Sequence, residues 1–75
     1  MDYFVSVDNE ESNANANALS ITGRVNGVDV AVVIKLSDVK GTVAEQKKIK
    51  QRALITAFIN RTATPASGPG EKVSL

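Results

Sequence analysis

Between Leu19 and Leu36, apolar and polar residues alternate with a period of two on both sides of Asn26-Gly27. Asn-Gly is the pair a two-residue type I′ turn prefers, because both of its positions need φ > 0. Such a turn sets Val25 opposite Val28, Arg24 opposite Asp29 and Gly23 opposite Val30. Further out, Thr22 meets Ala31, Ile21 meets Val32, Ser20 meets Val33 and Leu19 meets Ile34. One face of this hairpin then collects Leu19, Ile21, Val25, Val28, Val30, Val32 and Ile34, with Leu36 beyond the pairing. The other collects Ser20, Thr22, Arg24, Asp29, Ala31, Val33 and Lys35. The apolar faces of both strands coincide, and the one facing charged pair, Arg24 and Asp29, has opposite signs. A slip of one residue destroys both features.

Upstream, Tyr3-Phe4-Val5-Ser6-Val7 is rich in aromatic and β-branched residues and predicts a short strand, with Tyr3, Val5 and Val7 on one face. Its pattern does not specify which edge of the hairpin it joins. From Asp8 to Asn17 the chain is acidic and then alternates Asn with Ala, which predicts a loop. Ser37 to Gly41 is a connector. Thr42-Val43-Ala44-Glu45 matches a capping box, in which the Thr hydroxyl and the Glu carboxylate cap each other's amides. A helix then runs from Val43 to about Arg61, with Leu54, Ile55, Phe58 and Ile59 on one broad face. Pro65, Gly68, Pro69 and Gly70 mark the segment after the helix as a flexible tail. Its last residues, Val73-Ser74-Leu75, alternate and read as a loose end, as a strand added to a partner or as a carboxylate presented to a groove.

The expected architecture is α+β: a small antiparallel sheet of two to three strands around the Asn-Gly hairpin, with one C-terminal α-helix on its apolar face. Residues 1–61 form a single domain and residues 62–75 the tail.

Composition changes this picture in one respect. At 75 residues, with no cysteine and no histidine, the chain has neither a disulfide nor a Cys/His metal site to brace a small core. Domains of this size rely on tight packing, on self-association or on a larger partner. The N-terminus lacks the basic and apolar regions of a secretory signal, and the longest apolar run, Val30 to Ile34, is too short to span a bilayer. A soluble, cytoplasmic protein is expected, with a place in a virion as a variant of that reading, and no membrane partner.

Charge alters the reading of the helix. The net charge is only +1, yet Lys47, Lys48, Lys50 and Arg52 crowd into one stretch. Lys47 and Lys50 share the stripe of Leu54, where an unpaired ammonium is too costly to bury. Either this half of the helix overhangs the sheet, or the lysines reach around the core margin. The cluster reads as a solvated face or as a cationic surface for nucleic acid or an acidic protein, with Lys40 nearby. Asp2, Asp8, Glu10 and Glu11 carry the opposite charge. Two such patches are expected to meet within a monomer or between copies, and an acidic loop on one subunit meeting the basic helix of the next is one mode of assembly that follows.

Without His or Cys, triad and zinc chemistry are excluded. Asp29 is explained by Arg24, Asp38 by turn chemistry and Glu45 by capping, and no glycine-rich phosphate motif follows a strand. The expectation is a protein that is not an enzyme, with no cofactor and no small-molecule substrate. Tyr3, Phe4 and Phe58 are the only aromatics, so a base-stacking platform is not expected. Two functions compete. The first is a protein-binding or self-assembly module, using Ala31 and Val33 on the outer sheet face together with Glu10 and Glu11. The second is nucleic-acid binding, with Lys47, Lys48, Lys50 and Arg52 on phosphates. In size and economy the chain resembles the small accessory and structural proteins of phages and other mobile elements.

Overall fold

The computed structural model describes residues 2–61 and 71–74. Three long strands run in sequence: β1 (Asp2–Asn13), β2 (Ala18–Val25) and β3 (Val28–Lys35). A 3-10 turn over Leu36–Asp38 leads to the helix α1 (Val43–Arg61). A last strand, β4, covers Glu71–Ser74. The sheet is antiparallel throughout, in the order β3-β2-β1-β4, and α1 packs on one of its faces.

The β2–β3 hairpin has the register that the alternation implies, from Val25 opposite Val28 to Ala18 opposite Lys35. Asn26 and Gly27 take φ values of 53° and 80°, as a type I′ turn requires. Asn26 has a second task. Its amide donates to the Phe4 carbonyl (2.8 Å), and its Oδ1 accepts from the Phe4 amide (2.9 Å). The turn is thereby pinned to β1. The cost of that position is visible: Asn26 is buried, and its Nδ2 has no hydrogen-bond partner among the described residues.

The first strand joins β2, which makes both central. It is also much longer than Tyr3–Val7. Asp8–Asn13, expected as loop, continues β1, and only Ala14–Asn17 form the turn. The polar residues there suit a sheet margin open to water, where main-chain pairing with β2 supplies the stabilisation. Turn chemistry accounts for the asparagines. Asn13 Oδ1 accepts from the Ala16 amide, and Asn17 adopts φ 51°. Asn17 also holds the 3-10 turn, through its carbonyl to the Leu36 amide and its Oδ1 to the Ser37 amide.

Within β1, the pairing with β2 shifts by one residue between Val7 and Asn9, so that Asp8 is the extra residue of a bulge. Gly23 lies opposite Val7 at this point. A Cβ built on it would sit 2.0 Å from the Ser6 carbonyl oxygen and 3.0 Å from Leu54 Cδ1. Glycine is what allows the bulged strand and the helix to close on this position together.

The tail expected over 62–75 lies outside the described residues at 62–70 and at 75. Its described part is β4, which pairs with β1 from Asp2 opposite Ser74 to Val5 opposite Glu71.

The core is made of Tyr3, Val5, Leu19, Ile21, Val25 and Val30 from the sheet and Leu54, Ile55 and Phe58 from the helix. Phe58 meets Tyr3 edge-on, with ring centroids 6.1 Å apart. Two residues expected on the apolar face are instead exposed, Val28 (38%) and Ile59 (44%). Val28 stands beside the turn at the end of an edge strand. Ile59 lies about 40° beyond Ile55 around the helix, at the limit of the buried arc.

The capping box forms as the motif implies. The Glu45 amide donates to Thr42 Oγ1 and the Thr42 amide donates to Glu45 Oε1, both at 3.2 Å. The backbone hydrogen bond from Thr42, followed by that of its hydroxyl, holds the Glu45 carboxyl below the usual carboxylate range.

Candidate interaction surface

The bulge at Asp8 decides where the acidic residues of β1 point. Opposite residues of an antiparallel pair share a face. Before the bulge, Val5 and Val7 lie opposite Val25 and Gly23 on the helix side. With one extra residue inserted, Glu10 and Ser12 fall opposite Ile21 and Leu19. The helix side of the sheet therefore carries Glu10, and the outer side carries Asn9 and Glu11.

Lys50 comes from the other direction. Its Nζ lies 2.7 Å from Glu10 Oε1, with the lysine side chain only 20% exposed. The lysine on the Leu54 stripe thus reaches the core margin and meets a carboxylate there. Of the two ways in which the acidic and basic segments are expected to meet, within a monomer or between copies, this contact is the first.

The four cations do not form one surface. At 100° per residue, Lys48 and Arg52 share a flank of α1 with Ile59, while Gln46 and Lys50 lie on the flank facing β1. Lys48 and Arg52 are exposed. Lys47 lines a groove with Lys50, Val43, Gln46 and Gln51, floored by Val5 and Val7. This groove is open and has a volume of about 490 Å³. Gln51, inconspicuous within a charged stretch of sequence, is buried at its inner end. Lys40 is exposed ahead of the helix.

The remaining candidates lie on the sheet. Ala31, Val33 and Glu11 are exposed on the face away from the helix, and Val33 is 65% exposed. Ser20 separates Val33 from Glu11 across the strands, and Thr22 separates Ala31 from Asn9. A polar knot sits at the far end of this face. Ser6 Oγ donates to Asp8 Oδ1 (2.7 Å), and Arg24 Nε contacts Asp8 Oδ2 at 3.4 Å. The Ser6 hydrogen bond, and then Arg24, hold the Asp8 carboxyl below its ordinary value. Arg24 stands opposite Asp29 in the register and also reaches across to β1.

Among the described residues, no group of three or more His, Cys, Asp or Glu is placed to hold a metal ion, and no helix is long and apolar enough to cross a membrane. Asp8 is engaged in the bulge, Glu10 with Lys50, and Glu45 in the cap. Compared with known proteins, the chain matches no family model, no curated protein and no solved structure.

Proposed function

We propose that the protein is a non-enzymatic protein-binding and self-assembly module whose working surface is the open side of its sheet. One observation carries this reading: among the described residues a single helix covers one face, and the other presents Val33, 65% exposed, beside Ala31. A small core with no disulfide or Cys/His metal gains from such association. On this reading it is a component of a larger assembly, in the manner of the small accessory proteins of phages and mobile elements.

The nucleic-acid reading draws less support. Lys50 is engaged with Glu10, and Lys48 and Arg52 lie on a different flank from the groove that Lys47 and Lys50 line. Phosphate neutralisation by several cations at once favours a continuous cationic surface.

Light scattering after size exclusion, at low and high salt and with and without duplex DNA, tests the proposal. A defined oligomer or complex indifferent to DNA supports it. A monomer that shifts only with DNA, and only at low salt, overturns it in favour of phosphate binding by the helix.

A further inference from the structure

The two margins of the sheet are built differently. Beyond Val5, β1 is not paired with β4, but that margin carries the Asp8 bulge and the charges of Glu10 and Glu11. These are the devices by which natural sheets prevent edge-to-edge pairing. β3 forms the other margin, and among the described residues no strand lies outside it. It runs Val28–Lys35 without bulge or proline, and between Asp29 and Lys35 every residue is apolar.

Hydrogen-bond phase decides which groups this edge offers. In a two-residue hairpin the residues flanking the turn form a hydrogen-bonded pair. Val28, Val30, Val32 and Ile34 therefore direct their main-chain groups to β2. Asp29, Ala31, Val33 and Lys35 direct theirs outward.

From these observations we infer that β3 pairs antiparallel with β3 of a second copy, Val32 opposite Val32, joining two sheets into one. This rests on the assembly reading above and names its partner and register. In this register Ala31 faces Val33 and Asp29 faces Lys35, so outward-directed groups meet outward-directed groups. Val30 faces Ile34 on the helix side. The strand is self-complementary in charge: the two-fold axis at Val32 places an Asp29–Lys35 pair at each end. Shifting by two residues either way keeps the hydrogen-bond phase and sets Asp29 opposite Val33, or Lys35 opposite Ala31, losing both charge pairs.

Sedimentation equilibrium on the full chain is the test. The wild type is expected to be a dimer. Val33→Pro removes an outward N–H without touching the bonds to β2, and it is expected to raise the dissociation constant at least tenfold. Lys35→Asp turns both end pairs from attraction to repulsion and weakens the dimer about tenfold. The double variant Asp29→Lys/Lys35→Asp restores the charge pairs and is expected to recover most of the affinity. Circular dichroism establishes that each variant is folded. Because the chain lacks cysteine, Val32→Cys provides a second readout. Two such residues on the two-fold axis fall in a non-hydrogen-bonded pair, within disulfide reach. Air oxidation is expected to cross-link this variant and not Val28→Cys. A wild-type oligomer that resists all of these substitutions and does not cross-link overturns the β3 pairing while leaving the assembly reading standing. A wild type that stays monomeric overturns both.

Discussion

Lys50 on the helix and Glu10 on β1 meet at 2.7 Å, and their meeting depends on Asp8, which touches neither. In a regular ladder that paired Asp8 with Thr22 instead of bulging, Glu10 would fall opposite Ser20 on the outer face, and Asn9 would take its place opposite Ile21 beneath Lys50. The bulge thus joins sequence to helix docking: it reverses the parity of the strand, which brings a carboxylate under the cationic end of α1. A double-mutant cycle with Glu10→Gln and Lys50→Met, followed by urea denaturation, is expected to show a coupling of about 0.5–1 kcal/mol at low salt, decreasing as salt is added. Zero coupling at low salt would remove the pair from the account of how the helix is seated.

Gly23 and Gly27 separate steric from conformational reasons for glycine. Gly23→Ala forces a Cβ to within 2.0 Å of the Ser6 carbonyl, which only backbone movement relieves. Its cost is expected to reach about 3 kcal/mol or more, a large part of the stability of a domain this size. Gly27→Ala meets nothing within 4 Å and suffers only from its φ of 80°, for about 1–2 kcal/mol. Thermal denaturation of the two variants should rank them in that order, and the reverse order would mean that the strands are not this close at the bulge.

The β2–β3 hairpin and the helix with its cap are legible in the sequence because their signals are local: alternation, Asn-Gly and a Thr-Glu spacing act within a few residues. The conflict over Lys47 and Lys50 is also legible, but its resolution is not. It needs the parity change at Asp8, and nothing in the polar stretch from Asp8 to Asn13 betrays a bulge except Gly23 on the facing strand. The extension of β1 has the composition of a loop because its side chains bury little and main-chain pairing leaves no hydrophobic trace. β4 is hidden for the opposite reason: its partner, Asp2–Val5, lies at the far end of the chain, where no local pattern reaches.

Asn26 tests how firmly the turn of the β2–β3 hairpin is tied to β1. Asn26→Gly keeps the positive φ and the amide bond to the Phe4 carbonyl, yet loses the Oδ1 that accepts from the Phe4 amide. Leaving that part-buried donor without its acceptor is expected to cost about 1–2 kcal/mol. The same substitution also removes the buried Nδ2 that lacks a partner among the described residues, which offsets part of the loss. Hydrogen exchange should report the difference locally, with the Phe4 amide losing protection while the amides of Val30 and Val32 in the hairpin keep theirs. Uniform loss across the sheet would mean that Asn26 acts on the hairpin as a whole and not on its bond to β1.

The helix cap carries a dependence on pH whose direction follows from Glu45. Its carboxyl is held below the usual range by the Thr42 backbone amide first and the Thr42 hydroxyl second, so the folded state binds a proton less readily than the unfolded chain. Such a group contributes its full stabilisation above the unfolded-state pKa and loses it as pH falls through the folded-state value. Asp8 shifts in the same direction, so the pH profile of the wild type alone mixes the two. The difference between wild type and Glu45→Gln isolates the cap, because Gln still reaches back to the Thr42 amide but does not titrate, and Asp8 is common to both. Urea midpoints are expected to favour the wild type at neutral pH, with the gap closing on acidification through the carboxylate range. A gap that stays constant into strong acid would mean that the Glu45 charge plays no part in holding the first turn of α1.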